Sequence, residues 1–280
     1  MEIQNKVLLS KLTISQFNPK KADTQTTNEV LREKQASRNA GMWVKYLVNP
    51  DNLLSVTSYA QKARLEHYKL SLPWEDEGWR ILPVKMYTKY QDKMIKCKDR
   101  FNMEVEKFVT EWPECVEEAK IALKDMFNIQ DYPSTDQIRS KFDFRILFLP
   151  LPSKEDFRIS LSQEEMEERK KDVDNLIKVA EETAMKDLWS RLSSPIKNMV
   201  DKLSDSDSIF RNSLIENLRE VLDLVPNLNI SDNTELDLII KECKDKLTIY
   251  SPEVLRENSR IRKTVALQAE ELLNRMKGYI

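Results

Sequence analysis

The sequence predicts an α+β protein in which helix predominates, with a small antiparallel sheet packed on one long helix and followed by a helical C-terminal region. Three observations carry that expectation. Only 3 of 280 residues are glycine, a composition that favours long helices over Gly-rich turns. Residues 84–112 carry apolar side chains at three- and four-residue steps with no breaker before Pro113. The segment KFDFRILFLPLP (141–152) alternates instead, which is the period of a strand. With 40% hydrophobic residues the chain can build a core without disulfide staples.

Taken in order, KVLLSKLTISQF (6–17) is β-branched and apolar enough for a strand that ends before Pro19. The polar run NPKKADTQTTNEVLREKQASRNAG (18–41) predicts a surface loop, mobile in part, that becomes a weakly helical basic segment with Arg32, Lys34, Arg38 and later Lys45. Residues 50–68 predict a helix with Leu53, Val56, Ala60 and Ala63 or Arg64 on one side, and EHYKLSL (66–72) alternates as a strand, or an extended entry into Pro73, that contains His67. After an acidic turn at Glu75–Gly78, Pro83 suits the first turn of a helix running to Trp112. Tyr87, Tyr90, Met94, Cys97, Phe101, Val105, Phe108 and Trp112 then share one face at about 100° per residue, and that face must be buried.

Pro113 is expected to start a second helix, 113–128. The strand at 142–149 turns Phe142, Phe144, Ile146 and Phe148 to the core, where they are expected to meet Tyr90, Met94, Phe101 and Phe108, and DFRISL (156–161) predicts its hairpin partner. Beyond Ser162 helices are expected at 163–192, 195–204, 208–224 and 233–248 and at the end of the chain, divided at Pro195, Pro226 and Pro252. The expected domains are therefore 1–161, an α+β core with a long basic amphipathic helix at about 83–112, and 162–280, an acidic helical region packed on it.

The net charge of −2 conceals an asymmetry. Residues 1–112 hold 19 Lys/Arg against 14 Asp/Glu, and residues 113–280 hold 26 against 33, which suggests different partners or solvent roles for the two halves. There is no basic-then-apolar leader and no apolar run near the ~20 residues that cross a bilayer, so a cytoplasmic location with no membrane contact is expected. Cys97, Cys115 and Cys243 show no metal-ligand spacing and sit at apolar helix positions, which predicts buried free thiols.

Catalytic signatures are missing. His67 is the single histidine, with no nucleophile elbow or reactive-cysteine context beside it. Gly41, Gly78 and Gly278 are too scattered to form a phosphate-cradling loop. The turn Glu75, Asp76 and Glu77 lacks the further carboxylates that would complete a Mg²⁺ site, and capping or pairing with Arg80 is its ordinary role. The expectation is a non-enzymatic protein with no metal and no cofactor.

One pattern does point to a ligand. Lys85, Lys89, Lys93, Lys96, Arg100 and Lys107 fall within an arc of about 80° on the long helix, in a stripe about 33 Å long. Such a row suits a phosphate backbone. Trp79 and Arg80 lie at its N-terminal end with Tyr68, Trp74, Tyr87 and Tyr90, and rings among cations are the ingredients of single-strand binding by stacking, although Tyr87 and Tyr90 also belong to the buried face. A solvated helix face and an acidic protein partner are the alternatives.

The blocks LPWEDEGWRILPVKMYTKY, DYPSTDQIRSKFDFRILFLPLPSKEDFRI and IFRNSLIENLREVLDLVPNLNI, in that order, resemble the uncharacterised bacterial and phage family catalogued as domain of unknown function 3150. The resemblance covers about residues 6–277 and carries over no catalytic residues. What it implies is context: phages and mobile elements, with MoxR-type AAA ATPases and recombination genes encoded nearby. It therefore implies either an oligomeric single-stranded DNA-binding or annealing-type recombination accessory, or an adaptor of a MoxR-type ATPase docking through the acidic EEMEER (164–169) and DSDS (205–208) segments. A self-assembling structural phage protein is a third possibility. For a homo-oligomer, TVALQAEELLNRM (264–276) offers Val265, Leu267 or Gln268, Leu272 and Met276 as a narrow apolar stripe.

Overall fold

The alternating segment at the N-terminus forms β1 (Val7–Ser15), and the strand at the far end of the α+β region forms β6 (Asp143–Pro150), in a computed structural model that describes residues 3–74, 78–152, 162–205 and 208–279. Between them lie β2 (Lys20–Ala22), α1 (Thr24–Glu33), β3 (Val44–Tyr46), α2 (Leu54–Lys69), β4 (Leu72–Pro73), β5 (Trp79–Pro83), α3 (Tyr87–Leu123) and α4 (Thr135–Arg139). The remainder is helical: α5 (Gln163–Ser204), α6 (Ser213–Leu228), α7 (Thr234–Leu247), α8 (Pro252–Glu257) and α9 (Ser259–Met276). The class is α+β with helix predominating, as the composition implies.

The chain forms two compact units that do not follow a single division at residue 161. The first takes Met1–Lys11, Tyr68–Tyr90 and Leu147–Ile280, and the second takes Leu12–His67 and Gln91–Ile146.

In the first unit β1 pairs antiparallel with β5, from Val7 opposite Pro83 to Lys11 opposite Trp79, and β5 pairs antiparallel with β4. The order of the sheet is β4-β5-β1-β6. Val7, Leu9, Leu72, Ile81 and Leu82 are buried there, and the Phe148 ring lies edge-on to Tyr87. Ser162 and Glu165 form a capping box that starts α5, satisfying two backbone donors at once. α5 packs on α6 and α9, and α9 on α7. Leu188, Trp189, Leu192, Ile196, Val265, Ala269 and Leu272 are sealed from solvent.

Two arginines close helix ends in this unit. Arg191 on α5 donates to the carbonyls of Tyr68, Lys69 and Ser71 at the C-terminus of α2. Arg262 on α9 donates to the carbonyls of Lys202, Leu203, Asp205 and Ser208 at the C-terminus of α5. Helix C-termini leave carbonyls without intrahelical partners, and a C-terminal glycine is their usual remedy.

In the second unit Phe101 meets Phe144 and Phe108 meets Phe142, each with ring centroids 5.7 Å apart, and Phe17 lies edge-on to Trp112. Val56, Ala60 and Ala63 of α2 belong to the same cluster. The aromatic stripe of α3 is thus the buried one, and Phe144, Ile146 and Phe148 of β6 are more buried than Arg145, Leu147 and Leu149, as the alternation requires.

Several boundaries differ from the sequence expectation. Pro113 does not end the long helix, because α3 runs through it; the turns on either side bury Val109, Trp112 and Cys115, and that burial outweighs the lost backbone bond. Pro195 lies inside α5 and Pro226 inside α6 for the same reason, and of the three expected divisions Pro252 alone opens a helix. His67 is on α2, buried, and not in a strand; the strand that follows is only Leu72–Pro73. The long helix begins later than Pro83, since Trp79–Pro83 is β5 and a 3₁₀ turn intervenes at Val84–Met86. Residues 20–22 and 44–46 form a two-stranded ribbon around α1 where a loop was expected. The segments 75–77 and 156–161, expected as an acidic turn and a strand, lie outside the described residues.

The stripe on α9 is also reassigned. Val265, Leu272 and Met276 are buried within the first unit, while Leu267 is on the opposite, exposed side. Val265, Leu272 and Met276 thus form core and offer no free face to a second copy. Cys115 and Cys243 are buried, Cys97 is half-buried, and all three thiols are free, burial pushing the Cys243 thiol up to about 12.

Candidate nucleic-acid interface

The buried stripe of α3 fixes which way its cations point. In the second unit Lys93, Lys96, Arg100 and Lys107 are all exposed. At 100° per residue they span about 60° of the helix surface and, at 1.5 Å per residue, about 21 Å of its length. Lys93 lies 3.0 Å from Glu66 and Lys107 lies 2.9 Å from Glu104, while Lys96 and Arg100 have no ion pair among the described residues. Both lysines are the exposed partners, at 46% and 60% of their side-chain surface, while Glu66 and Glu104 are largely covered.

The first unit holds the other four residues of the expected set. Lys89 is exposed on the first turn of α3. Lys85 is in the 3₁₀ turn before it and donates to the carbonyl of Pro226 at 2.8 Å. Trp79 opens β5, half-buried, with the Lys11 ammonium 5.5 Å from its ring centre. Arg80 is engaged on β5: its Nε donates to Ser71 Oγ at 2.8 Å, one terminal nitrogen donates to the Ser71 carbonyl, and the guanidinium lies over the Tyr68 ring. Burial first, and then the neighbouring Arg191, lower its pKa. Arg80 thus works as a structural cation, and reaching a phosphate would require breaking these bonds. Tyr90 is fully buried and Trp74 nearly so, which removes two of the expected stacking rings.

Tyr68 stays half exposed beneath the Arg80 guanidinium, and further exposed rings lie elsewhere. Trp43 and Tyr46 flank and occupy β3, each somewhat under half exposed, with Met42 more exposed still. GMWVKY is a strand-like hexapeptide, and its signal was masked by the polar run before it.

Lys45, expected among the exposed basic residues of that segment, is instead buried. Its ammonium lies 2.8 Å from Asp23 and 2.9 Å from Asp131 and donates to the Met126 carbonyl, so all its donors are used. Asp23 also caps α1 by accepting from the Thr26 N–H. The Lys45 hydrogen bond, then that of Thr26, hold the Asp23 carboxyl at about 2, below its ordinary 3.8. Burial pushes Asp131 up, but hydrogen bonds from Lys21 and Lys45 outweigh it and leave that carboxyl low as well. A depressed folded-state pKa contributes stability above the unfolded value that is lost as pH falls through the folded one. The urea midpoint should therefore fall as pH drops from 3.8 toward about 2, and fall less in the double variant Asp23→Asn, Lys45→Met. Equal acid-side slopes for the two proteins would show that this triad is not the source.

The acidic EEMEER segment lies in the first turns of α5, where no residue from Gln163 to Val179 is fully buried. Among the described residues no cluster of carboxylate, thiol and imidazole groups is arranged to hold a metal ion, and no helix is long and apolar enough to cross a membrane. Comparison of the chain with family models, with curated proteins and with solved structures gives no match in any of the three.

Proposed function

We propose that this protein binds single-stranded nucleic acid without marked sequence preference, through the exposed cations of α3, as an accessory in DNA recombination or replication. The observation that carries the reading is the row of Lys93, Lys96, Arg100 and Lys107 on one narrow, exposed strip of a helix whose aromatic face is locked into the core. A strip fixed in that way presents its charges without an ordering cost in the backbone, and phosphates contribute affinity by releasing counterions.

Titration of a fluorescent oligothymidylate at low salt should give saturable binding. If about three phosphates are neutralised, the slope of log affinity against log salt should be about −2, at roughly −0.7 per phosphate on a single strand. Lys96→Glu with Arg100→Glu removes the two cations that pair with no described residue, so binding should fall at least tenfold with the melting temperature nearly unchanged. Absence of binding by the intact chain, or equal binding by the double variant, would refute the proposal.

A further inference from the structure

The ribbon of β2 and β3 leaves backbone hydrogen-bonding groups unused beside an apolar groove. Its register pairs Lys20 with Tyr46, Lys21 with Lys45 and Ala22 with Val44. The bonds that continue the ladder, from Asp23 N–H to the Trp43 carbonyl and from Leu47 N–H to the Pro19 carbonyl, make the odd-numbered residues of β3 the hydrogen-bonded ones. In an antiparallel pair the alternate residues then point their N–H and C=O away from the partner strand. Val44 and Tyr46 consequently face outward, and neither makes a backbone hydrogen bond among the described residues.

That free edge borders a groove of about 510 Å³ between β3 and the last turns of α3. Val44, Tyr46 and Val48 line one side, and Ala119, Ala122 and Leu123 line the other. Two charged residues also line it, Lys45 and Glu118. Lys45 is neutralised by Asp23 and Asp131, which leaves the exposed Glu118 carboxylate, with no ion pair among the described residues, as the charge on the α3 wall, while the Lys20 ammonium lies 5.5 Å from the centre of the Tyr46 ring on the β3 side. A phosphate chain would meet repulsion at the α3 wall, in spite of the exposed rings.

We infer that this groove receives an extended segment of a protein partner, of alternating apolar and basic side chains, added to the edge of β3. The partner's backbone pairs with the N–H and C=O of Val44 and Tyr46, its apolar side chains lie on Ala119, Ala122 and Val48, and its Lys or Arg meets Glu118. Backbone pairing of this kind supplies affinity, and the side-chain pockets supply selection. The surface belongs to the second unit alone and is separate from the cation row.

The test uses the full chain and a fluorescein-labelled heptapeptide, Thr-Lys-Val-Lys-Val-Lys-Thr, read by polarisation. Binding is expected, weakened at least tenfold when both valine amides are N-methylated and at least tenfold when the lysines are replaced by glutamate. Glu118→Lys should reverse the preference between the lysine and glutamate peptides. Ala122→Phe, at an exposed position in the groove wall, should block both peptides without lowering the melting temperature. No binding of the lysine peptide, unchanged binding after N-methylation, or an unaltered preference in Glu118→Lys would overturn the inference. So would competition by an oligothymidylate that persists in Lys96→Glu, Arg100→Glu, or a dimer of the free chain that Ala122→Phe dissociates, since these assign the groove to nucleic acid or to a second copy.

Discussion

Replacing Phe144 by Asp is expected to unfold the second unit. Phe144 is 3% exposed, and its ring packs 5.7 Å from that of Phe101, which is 1% exposed. Removing a buried Phe ring costs about 3–5 kcal/mol in contacts and cavity, and an unpaired carboxylate in the same place adds several more. The sum is comparable with a typical total stability of about 5–15 kcal/mol. Leu147 on the same strand points the other way and is 51% exposed, so Leu147→Asp should change the urea midpoint little. Phe144→Leu keeps the site apolar and should cost on the order of 1 kcal/mol. Equal midpoints for Phe144→Asp and Leu147→Asp would mean that the inward face of β6 is misassigned.

That contrast between neighbouring residues was legible in the sequence because β6 has one wet face. β5 has none: Ile81, Leu82 and Pro83 are consecutively buried, so there was no alternation to detect, and Pro83 was taken for a helix start when it ends a strand. Strands covered on both sides lose the period that identifies them. β2 and β3 have three residues each, too few for any period, and their pairing joins residues 20 to 46 across α1. The misplaced helix ends share another cause. Pro113 and Pro195 obey a local rule that strong burial on both flanks overrides, and nothing in a single sequence weighs the two.

For the candidate site, exposure was legible and partnership was not. The cation row faces solvent because the aromatic stripe of the same helix must face the core. The partners come from afar: the Pro226 carbonyl is 141 residues from Lys85, and Lys45 is neutralised by Asp131 as well as by Asp23. Arg80 shows the consequence, since a cation expected at the end of the row is spent on Ser71. A charge pattern shows where cations are, and only the fold shows which of them remain available.

Arg262→Leu is expected to produce the second large loss of stability, about 3 kcal/mol or roughly 6–12 °C in melting temperature. A chain with 3 glycines in 280 residues can seldom end a helix with a left-handed glycine, and α5, at 42 residues, ends without one. The Arg262 guanidinium takes that role, donating to the Lys202 carbonyl at 2.8 Å, to Leu203 at 3.2 Å and to Ser208 at 2.9 Å, as well as to Asp205. Its cationic head also sits at the negative end of the α5 dipole. Leucine fills the space but leaves those carbonyls without donors in a site where Arg262 is only 8% exposed. Lysine restores the charge without the planar fork and should recover only part of the loss. Arg256 separates capping from stacking, because its guanidinium lies over Phe210 at 5.5 Å much as that of Arg262 does at 5.4 Å, yet Arg256 is exposed and bonds the side chains of Asn212 and Glu253, with no helix-end carbonyl among its partners in the described residues. Arg256→Leu should therefore stay within about 0.5 kcal/mol of the parent. If the two leucine variants melted together, contact with Phe210 would be the larger contribution and the carbonyl cap the smaller.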